Sequence, residues 1–461
     1  MKKLGIALLL ALLPVADALA QLELPKVWSS HAVIQREKNV PVWGRGVPGQ
    51  SVKVTFAGQK ITATVGSDST WKCVLKPLLA SATPRTMTVQ SGKQKILLQD
   101  MLVGEVWVAS GQSNMEYPMK RFSKYLTPQH GTDVQMEEIK HPDVPLMRAM
   151  YVERKLNTDT LPSSGWMRID SNTVKLLSAA TYYFSKTLTD SLHIPVGFVS
   201  SSWGGSKIET WTPGHREGAR YRHMIEPLAP YAIRGFLWYQ GEANVLLLGD
   251  HNVDKYYDLQ KSLVTKWRQA WGDESLKFYF VQLAPYKYSE RSRNRVACSW
   301  EALPLFWRVQ QKLMALPGCG MAQTTGLVDN VSDIHPPYKW EVGRRLALWP
   351  LHDVYGFDKV ETFGPTVDKA VAHDSKVTVT FTHARGLKTA DGKSPDSFEV
   401  KSLDGRWYAA QGEVKDGFVE LTLPERVKRA VEVRLGWYEA AQPNLQNGAG
   451  LPAMPFKVKV E

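Results

Sequence analysis

The stretch VGEVWVASGQSNMEYP, residues 103–118, joins an apolar segment to a sharp break. Its first half is β-branched and apolar around Trp107, which is typical of an inner strand covered on both faces. Gly111 ends that run, and Ser113 follows two residues later. A hydroxyl at the carboxyl end of a central strand is held rigidly at an open crevice, which favours a nucleophile. The same residues also suit a plain polar loop, so the rest of the chain has to provide a base and oxyanion donors.

The first twenty residues predict a signal peptide and not a part of the fold. Two early lysines precede an apolar segment, residues 4–13, that is too short to span a bilayer, and residues 18–20 form a small-x-small cleavage pattern. We therefore expect a mature chain that begins at Gln21 and is exported to the bacterial periplasm or beyond. No cysteine follows the cleavage pattern and no later stretch has the length of an apolar span, so no membrane anchor is expected.

The formal net charge of the chain is +12, and cleavage after residue 20 would remove Lys2, Lys3 and Asp17 (12 − 2 + 1) and leave +11. The basic residues are scattered and form no dense run or recognition motif, so no nucleic-acid partner is expected. A diffuse positive field favours solubility or a mild attraction for acidic glycans.

The three cysteines, Cys73, Cys298 and Cys319, are an odd set without the close spacing of a metal site. A disulfide between Cys298 and Cys319 is compatible with an oxidising compartment but cannot be read from the sequence. Stability is therefore expected to come mainly from packing.

Hydrophobic periodicity changes twice after residue 20 and predicts three regions. Residues 21–101 alternate polar and apolar positions between Gly and Asp turns, which indicates a β-sandwich-like module without helices. Residues 102–363 alternate strands and helices, which predicts a three-layer α/β/α domain with a mostly parallel sheet. Residues 364–461 alternate again, as a β-rich module that either stands alone or packs beside the first.

The elements predicted in the middle region are spaced for βα units, after a polar and irregular stretch over residues 116–144. Strands are expected at 145–152, 194–199, 233–239, 277–283 and 320–325. Helices are expected from 178, and over 254–271, 301–316 and 338–351.

Four predicted strand ends carry chemically useful residues, and ligands of open α/β sheets bind at such ends. They are Ser113, the pair Gly204 and Gly205, the group Gln240, Glu242 and Asn244, and the pair Asp333 and His335. A His beside an Asp suits a general base with its orienting acid, and a Gly pair or a carboxamide can direct N–H groups at an oxyanion. Each group alone is more often a turn, a cap or a structural residue. Their occurrence together favours nucleophilic catalysis.

Four blocks resemble the sialate O-acetylesterase family of the SGNH hydrolase superfamily. They are GQSNM at 111–115, SWGG at 202–205, WYQGE at 238–242 and DIHP at 333–336. The resemblance runs through essentially the whole mature chain, including GEVW at 104–107 and the segment 444–452. It implies an SGNH-type fold for residues 102–363.

The resemblance also implies roles for residues at matching positions. Ser113 would be the nucleophile, and His335 would take its proton and later pass it to the leaving sugar hydroxyl. The backbone N–H of Ser113, a backbone N–H of Gly204 or Gly205, and the Gln240 side chain would hold the oxyanion, each worth about 3 kcal/mol of barrier. No metal or cofactor is implied.

The orienting acid is the point at which this chain departs from the wider superfamily. The superfamily usually places the acid three residues before the His, where this chain has Ser332. Asp333 is the first candidate, Glu242 is the rival, and a Ser–His dyad oriented by a backbone carbonyl is the third. The GxSxG elbow of α/β-hydrolases is absent.

The substrate expected from the resemblance is an O-acetylated carbohydrate, with sialic acid first and acetylated xylan or another glycan as the alternative. The rival of another class is a non-catalytic glycan-binding protein. Loss of catalysis should have removed one of Ser113, Gln240 or His335, and all three are present. The oligomeric state is not implied.

Overall fold

The computed structural model describes residues 21–120, 127–291, 296 and 298–461. The predicted signal peptide, residues 1–20, lies outside the described residues. Within these ranges, no helix combines the length and the apolar character needed to cross a bilayer.

The N-terminal region is built from strands alone, as expected. They are β1 (Val33–Gln35), β2 (Val40–Arg45), β3 (Ser51–Phe56), β4 (Gln59–Thr64), β5 (Thr70–Leu75), β6 (Ser81–Ser91) and β7 (Gln94–Gly111). Strands β3, β4, β6 and the first part of β7 form an antiparallel sheet, and β2 pairs with β5. The 18-residue β7 then continues into the central sheet, so the boundary predicted between residues 101 and 102 lies inside one strand.

The central region alternates helices and strands. They are α1 (Ser113–Glu116), α2 (Thr132–Lys140), β8 (Met147–Val152), β9 (Ser163–Arg168), α3 (Ala179–Leu192), β10 (Val196–Ser202), β11 (Gly235–Tyr239), α4 (Glu242–Asn252), α5 (Lys255–Trp271), β12 (Lys277–Val281), α6 (Ala302–Leu313), β13 (Cys319–Ala322) and α7 (Lys339–Asp353). The sheet order is β13-β12-β11-β7-β10-β8-β9, and every pair is parallel except β8 with β9. The predicted mostly parallel sheet is confirmed.

Alternating side chains along the strands cover both faces of this sheet. On one face, Trp107 of β7 packs edge-on against Phe184 of α3, with ring centroids 5.2 Å apart. On the other face, Phe236 of β11 packs against Trp267 of α5 at 5.1 Å. Helices on both faces of a buried sheet give the three-layer α/β/α fold that the sequence predicts.

The C-terminal region is a sandwich of two antiparallel sheets. Its strands are β14 (Thr366–His373), β15 (Lys376–Thr382), β16 (Lys388–Thr389), β17 (Phe398–Ser402), β18 (Trp407–Ala409), β19 (Gln411–Lys415), β20 (Phe418–Thr422), β21 (Ala430–Leu435), β22 (Leu445–Gln446) and β23 (Phe456–Lys459). The sheets β14-β15-β20-β19 and β18-β17-β21-β23 share one apolar core. Loops of the central region contact this sandwich. For example, the backbone N–H of Ser289 donates to Glu439 Oε2 at 2.9 Å.

Besides the short α1 in the turn after β7, three elements of the central region were not predicted. Helix α2 lies in the stretch expected to be irregular, because its polar sequence has no clear apolar stripe. Strand β9 contains Gly165, whose φ of +101° and close approach to Ser29 need a residue without a side chain. Helix α4 begins at Glu242, within a segment interpreted only as a polar strand end.

All three cysteines are free thiols. The pairing of Cys298 with Cys319 that the compartment would allow is therefore not formed. Cys73 and Cys319 are buried in β5 and β13, where they pack as small apolar residues.

Candidate active site

The turn after β7 places Ser113 at the carboxyl end of the central strand. Gly111 has φ +142°, and a Cβ on it would lie 2.2 Å from the carbonyl oxygen of Tyr239, so only glycine allows β11 to approach this closely. The Gln112 N–H donates to that same oxygen at 3.0 Å. Ser113 is the first residue of α1, where backbone N–H groups have no acceptor inside the helix.

The segment between β13 and α7 brings His335 to Ser113. His335 Nε2 lies 3.0 Å from Ser113 Oγ. On the other side of the ring, Nδ1 lies 3.4 Å from Asp333 Oδ1, and the His335 backbone N–H donates to this same oxygen at 3.0 Å. The structure therefore brings together Ser113, His335 and Asp333. A serine hydroxyl on an imidazole that faces a carboxylate is suited to general-base activation.

Glu242, the rival candidate for the orienting acid, is bonded to the segment that carries the nucleophile. Its Oε1 accepts from Asn114 Nδ2 at 2.5 Å, and its Oε2 has no hydrogen-bond partner among the described residues. Only 2% of Glu242 is exposed, and this burial raises the pKa of its carboxyl group. His335 Nδ1 thus faces Asp333, while Glu242 contacts the residue next to Ser113.

Asn114 and Lys339 tie the histidine segment to the nucleophile segment. Asn114 Nδ2 also donates to the carbonyl of Ile334 at 3.0 Å. Lys339 Nζ, fully buried, donates to Asn114 Oδ1 and to the carbonyl of Pro336, both at 2.8 Å. Burial lowers the pKa of Lys339 to about 7, against the opposing effect of the Glu242 carboxylate. The carbonyl groups on either side of His335 are thereby fixed.

The Gly204–Gly205 pair lies beside the serine. A Cβ on Gly204 would be 3.5 Å from the Ser113 Cβ. The Gly204 N–H donates to Glu116 Oε2 at 2.8 Å, and the other oxygen of Glu116 lies 3.2 Å from Arg154 Nη1. Gly205 is exposed with φ +70°, and no described residue accepts a hydrogen bond from its N–H.

Gln240 lies at the centre of a buried polar network. Its Nε2 donates to Gln112 Oε1 and the Ser206 carbonyl, both at 3.1 Å, and to Asn244 Oδ1 at 2.8 Å. Its Oε1 accepts from the Tyr256 hydroxyl at 2.9 Å. The sequence-based role of this amide as an oxyanion donor stays a prediction, because its hydrogens are directed to protein acceptors here.

Sequence reasoning gave no role to Asn114, Glu116 or Lys339. The contacts of Asn114 with Glu242 and Lys339 span 128 and 225 positions, so no local pattern reports them. The one available hint is that Asn114 and Glu116 lie one and three residues after the serine. Among the described residues, no group of three or more His, Cys, Asp and Glu side chains could hold a metal ion.

Comparison with known proteins gives consistent relatives. The family described as carbohydrate esterase, sialic acid-specific acetylesterase, matches residues 103–348, which include every site residue described above. Sialate O-acetylesterase of Homo sapiens is 26% identical over 92% of this chain and 90% of the human protein, and that of Mus musculus is 27% identical over 82% and 81%. The crystal structure of a carbohydrate acetylesterase from Xanthomonas citri superposes with a TM-score of 0.84 and 29% identity, covering 95% of this chain and 99% of that one.

Proposed function

The chain belongs to the carbohydrate esterase family of sialic acid-specific acetylesterases, and from this premise we propose that Ser113 and His335 remove O-acetyl groups from sugars, with sialic acid as the preferred sugar. The protein is a carboxylic ester hydrolase that acts on O-acetylated carbohydrates. The observation that carries the proposed catalytic roles is the 3.0 Å contact between Ser113 Oγ and His335 Nε2.

The proposed reaction has two steps. Ser113 Oγ attacks the acetyl carbonyl carbon while its proton passes to His335 Nε2, and Asp333 orients and stabilises the resulting imidazolium. The imidazolium then protonates the departing sugar oxygen, which leaves an acetyl group on Ser113. Water gives a proton to His335 Nε2 as it attacks this ester. Collapse of the second intermediate breaks the bond to Ser113 Oγ, which takes that proton back from His335, and acetic acid leaves and ionises to acetate.

The oxyanion formed in each step needs N–H donors. We assign the backbone N–H of Ser113 and one from the Gly204–Gly205 pair, each worth about 3 kcal/mol of barrier. Recruitment of the Gly204 N–H requires it to leave Glu116, whereas the Gly205 N–H has no such competitor among the described residues. The Gln240 side chain is the third assigned donor. To act in this way, its Nε2 would give up one of its hydrogen bonds within the protein and donate to the oxyanion instead.

Two considerations support sialic acid as the sugar. The family and the mammalian relatives carry that name, and the formal net charge of +12 suits an acidic substrate. Acetylated xylan or another glycan remains the alternative substrate. A purely glycan-binding role is disfavoured by the intact contact between Ser113 and His335.

The proposal also covers export of the protein and the arrangement of its chain in three regions. A signal peptide over residues 1–20 would direct the enzyme to the periplasm or the medium, where acetylated glycans are met. Residues 21–101 and 364–461 would flank the catalytic region, 102–363. Sequencing the N-terminus of exported protein tests the first part, and a start at Gln21 is expected.

The catalytic proposal is tested by acetate release from mono-O-acetylated sialic acids, acetylated xylan and p-nitrophenyl acetate. Ser113→Ala should lower kcat by at least about 1,000-fold on each accepted substrate. Ser110→Ala is the matched control, because Ser110 lies in β7, three residues before Ser113, and its Oγ is buried without a hydrogen-bond partner among the described residues. A serine-reactive phosphonate should label Ser113. Equal rates for wild type and Ser113→Ala would overturn the assignment.

A further inference from the structure

A tryptophan and an arginine form a stacked pair next to the catalytic turn. The Trp203 N–H donates to the Gly111 carbonyl at 3.0 Å, and Trp203 directly precedes Gly204, which lies beside Ser113. The half-buried Trp203 ring carries the guanidinium of Arg220, whose Cζ lies 4.6 Å from the ring centroid. Arg220 precedes a π-helical turn, Tyr221–Ile225, a rare local structure that is frequent at functional sites.

The Arg220 guanidinium has no anionic partner among the described residues. Its Nε is buried without a hydrogen-bond acceptor in the described ranges, and burial lowers the pKa of the guanidinium. Two other basic side chains near this turn have acidic partners: Arg154 pairs with Glu116, and Lys207 pairs with Glu217 at 2.7 Å. Arg220 is therefore a partly buried cation for which the described residues provide no negatively charged partner.

We propose that Arg220, held on the Trp203 ring, forms the subsite that binds the carboxylate of an acidic sugar while the acetyl ester lies at Ser113. A guanidinium binds a carboxylate through two parallel hydrogen bonds, and stacking on an indole fixes its plane before the substrate arrives. The inference rests on the proposed function and adds to it. Selectivity for acidic over neutral sugars is assigned to one side chain, not to the net charge of the protein.

The kinetic test pairs a variant with a modified substrate. Arg220→Gln is compared with Arg222→Gln, an exposed arginine two residues on whose loss changes the net charge equally. Each enzyme is assayed on an O-acetylated sialic acid and on its carboxamide, which lacks the negative charge. Arg220→Gln should lower kcat/KM on the acid about tenfold or more, chiefly through KM, and leave the carboxamide and p-nitrophenyl acetate unchanged. Arg222→Gln should behave as wild type.

The proposal is overturned if Arg220→Gln lowers kcat/KM on the carboxamide as much as on the acid, or lowers it on neither substrate. A binding measurement separates it from the catalytic proposal. Calorimetric titration of Ser113→Ala with free sialic acid, with and without Arg220→Gln, needs no turnover. If the double variant binds sialic acid about tenfold or more weakly than Ser113→Ala alone, the subsite is supported even if Ser113 proves not to be the nucleophile. Equal affinities of the two variants would reject the subsite.

Discussion

The side-chain amide of Asn114 donates to the carbonyl of Ile334 at 3.0 Å, which joins the residue after Ser113 to the residue before His335. The proposed nucleophile and base stand 222 positions apart in the sequence. Their separation is therefore controlled by buried contacts of neighbouring residues as well as by the hydrogen bond between them.

Replacement of Asn114 by alanine should lower both activity and stability. It would leave Glu242 Oε1 and Lys339 Nζ without a shared partner, at a cost of about 1–3 kcal/mol for each buried group. The histidine segment would also lose one anchor, so we expect kcat on p-nitrophenyl acetate to fall about 10- to 100-fold with a smaller change in KM. Asn172→Ala, in an exposed turn, is the control. Wild-type kcat and thermal unfolding in Asn114→Ala would contradict this role.

The orienting acid is identified by comparing Asp333→Asn with Glu242→Gln. Because Asp333 faces His335 Nδ1, Asp333→Asn should lower kcat by about 100-fold or more with KM nearly unchanged. Glu242→Gln keeps an oxygen for Asn114 and should lower kcat less than about tenfold. The reverse order of effects in steady-state kinetics would make Glu242 the orienter.

Stability should depend on pH through Lys339, whose pKa is lowered from 10.5 to about 7 in the folded protein. Below pH 7 both folded and unfolded chains hold the proton, and the cost of burying the charge is present in full. Between pH 7 and 10.5 the folded chain loses the proton while the unfolded chain keeps it, so the free energy of unfolding rises with pH. Relative to Lys339→Met, the rise should approach about 1.4 kcal/mol per pH unit.

Urea unfolding of the two proteins at pH 6.5, 8 and 9.5 measures this difference. The comparison removes the contributions of groups common to both chains. A difference in unfolding free energy that stays constant over this range would show that Lys339 keeps its ordinary pKa.

The role of Gln240 can be separated from its structural contacts. Gln240→Met removes the amide, and if this amide serves the oxyanion, kcat should fall about 100- to 1,000-fold. Tyr256→Phe removes only the hydroxyl that Gln240 Oε1 accepts from, so it should cost about 1–2 kcal/mol of stability and leave kcat within about threefold. Urea unfolding and kinetics on p-nitrophenyl acetate report the two effects. Equal losses of kcat in both variants would assign Gln240 a structural role only.

Local patterns explain what could be predicted from the sequence. The β-branched run before Gly111 predicts the inner strand, and parallel strands bring their carboxyl ends to one edge, so Ser113 and His335 were expected to meet. The contacts of Asn114, Glu242 and Lys339 could not be predicted, because they depend on how three distant segments pack. The role of Gln240 could not be predicted either, because the sequence around a carboxamide is the same whether its N–H groups donate to a substrate or to the protein.

The length of β7 has a consequence for how this enzyme can be divided. The strand that ends at the nucleophile turn begins in the N-terminal module, and residues on both sides of position 102 share one apolar core. A fragment starting at residue 102 would keep Ser113 but lose half of its supporting strand and the partners of that half. The smallest part of the chain that could fold and keep catalysis therefore includes the N-terminal module. Because β7 is shared, this module could not be gained or lost independently of the catalytic region.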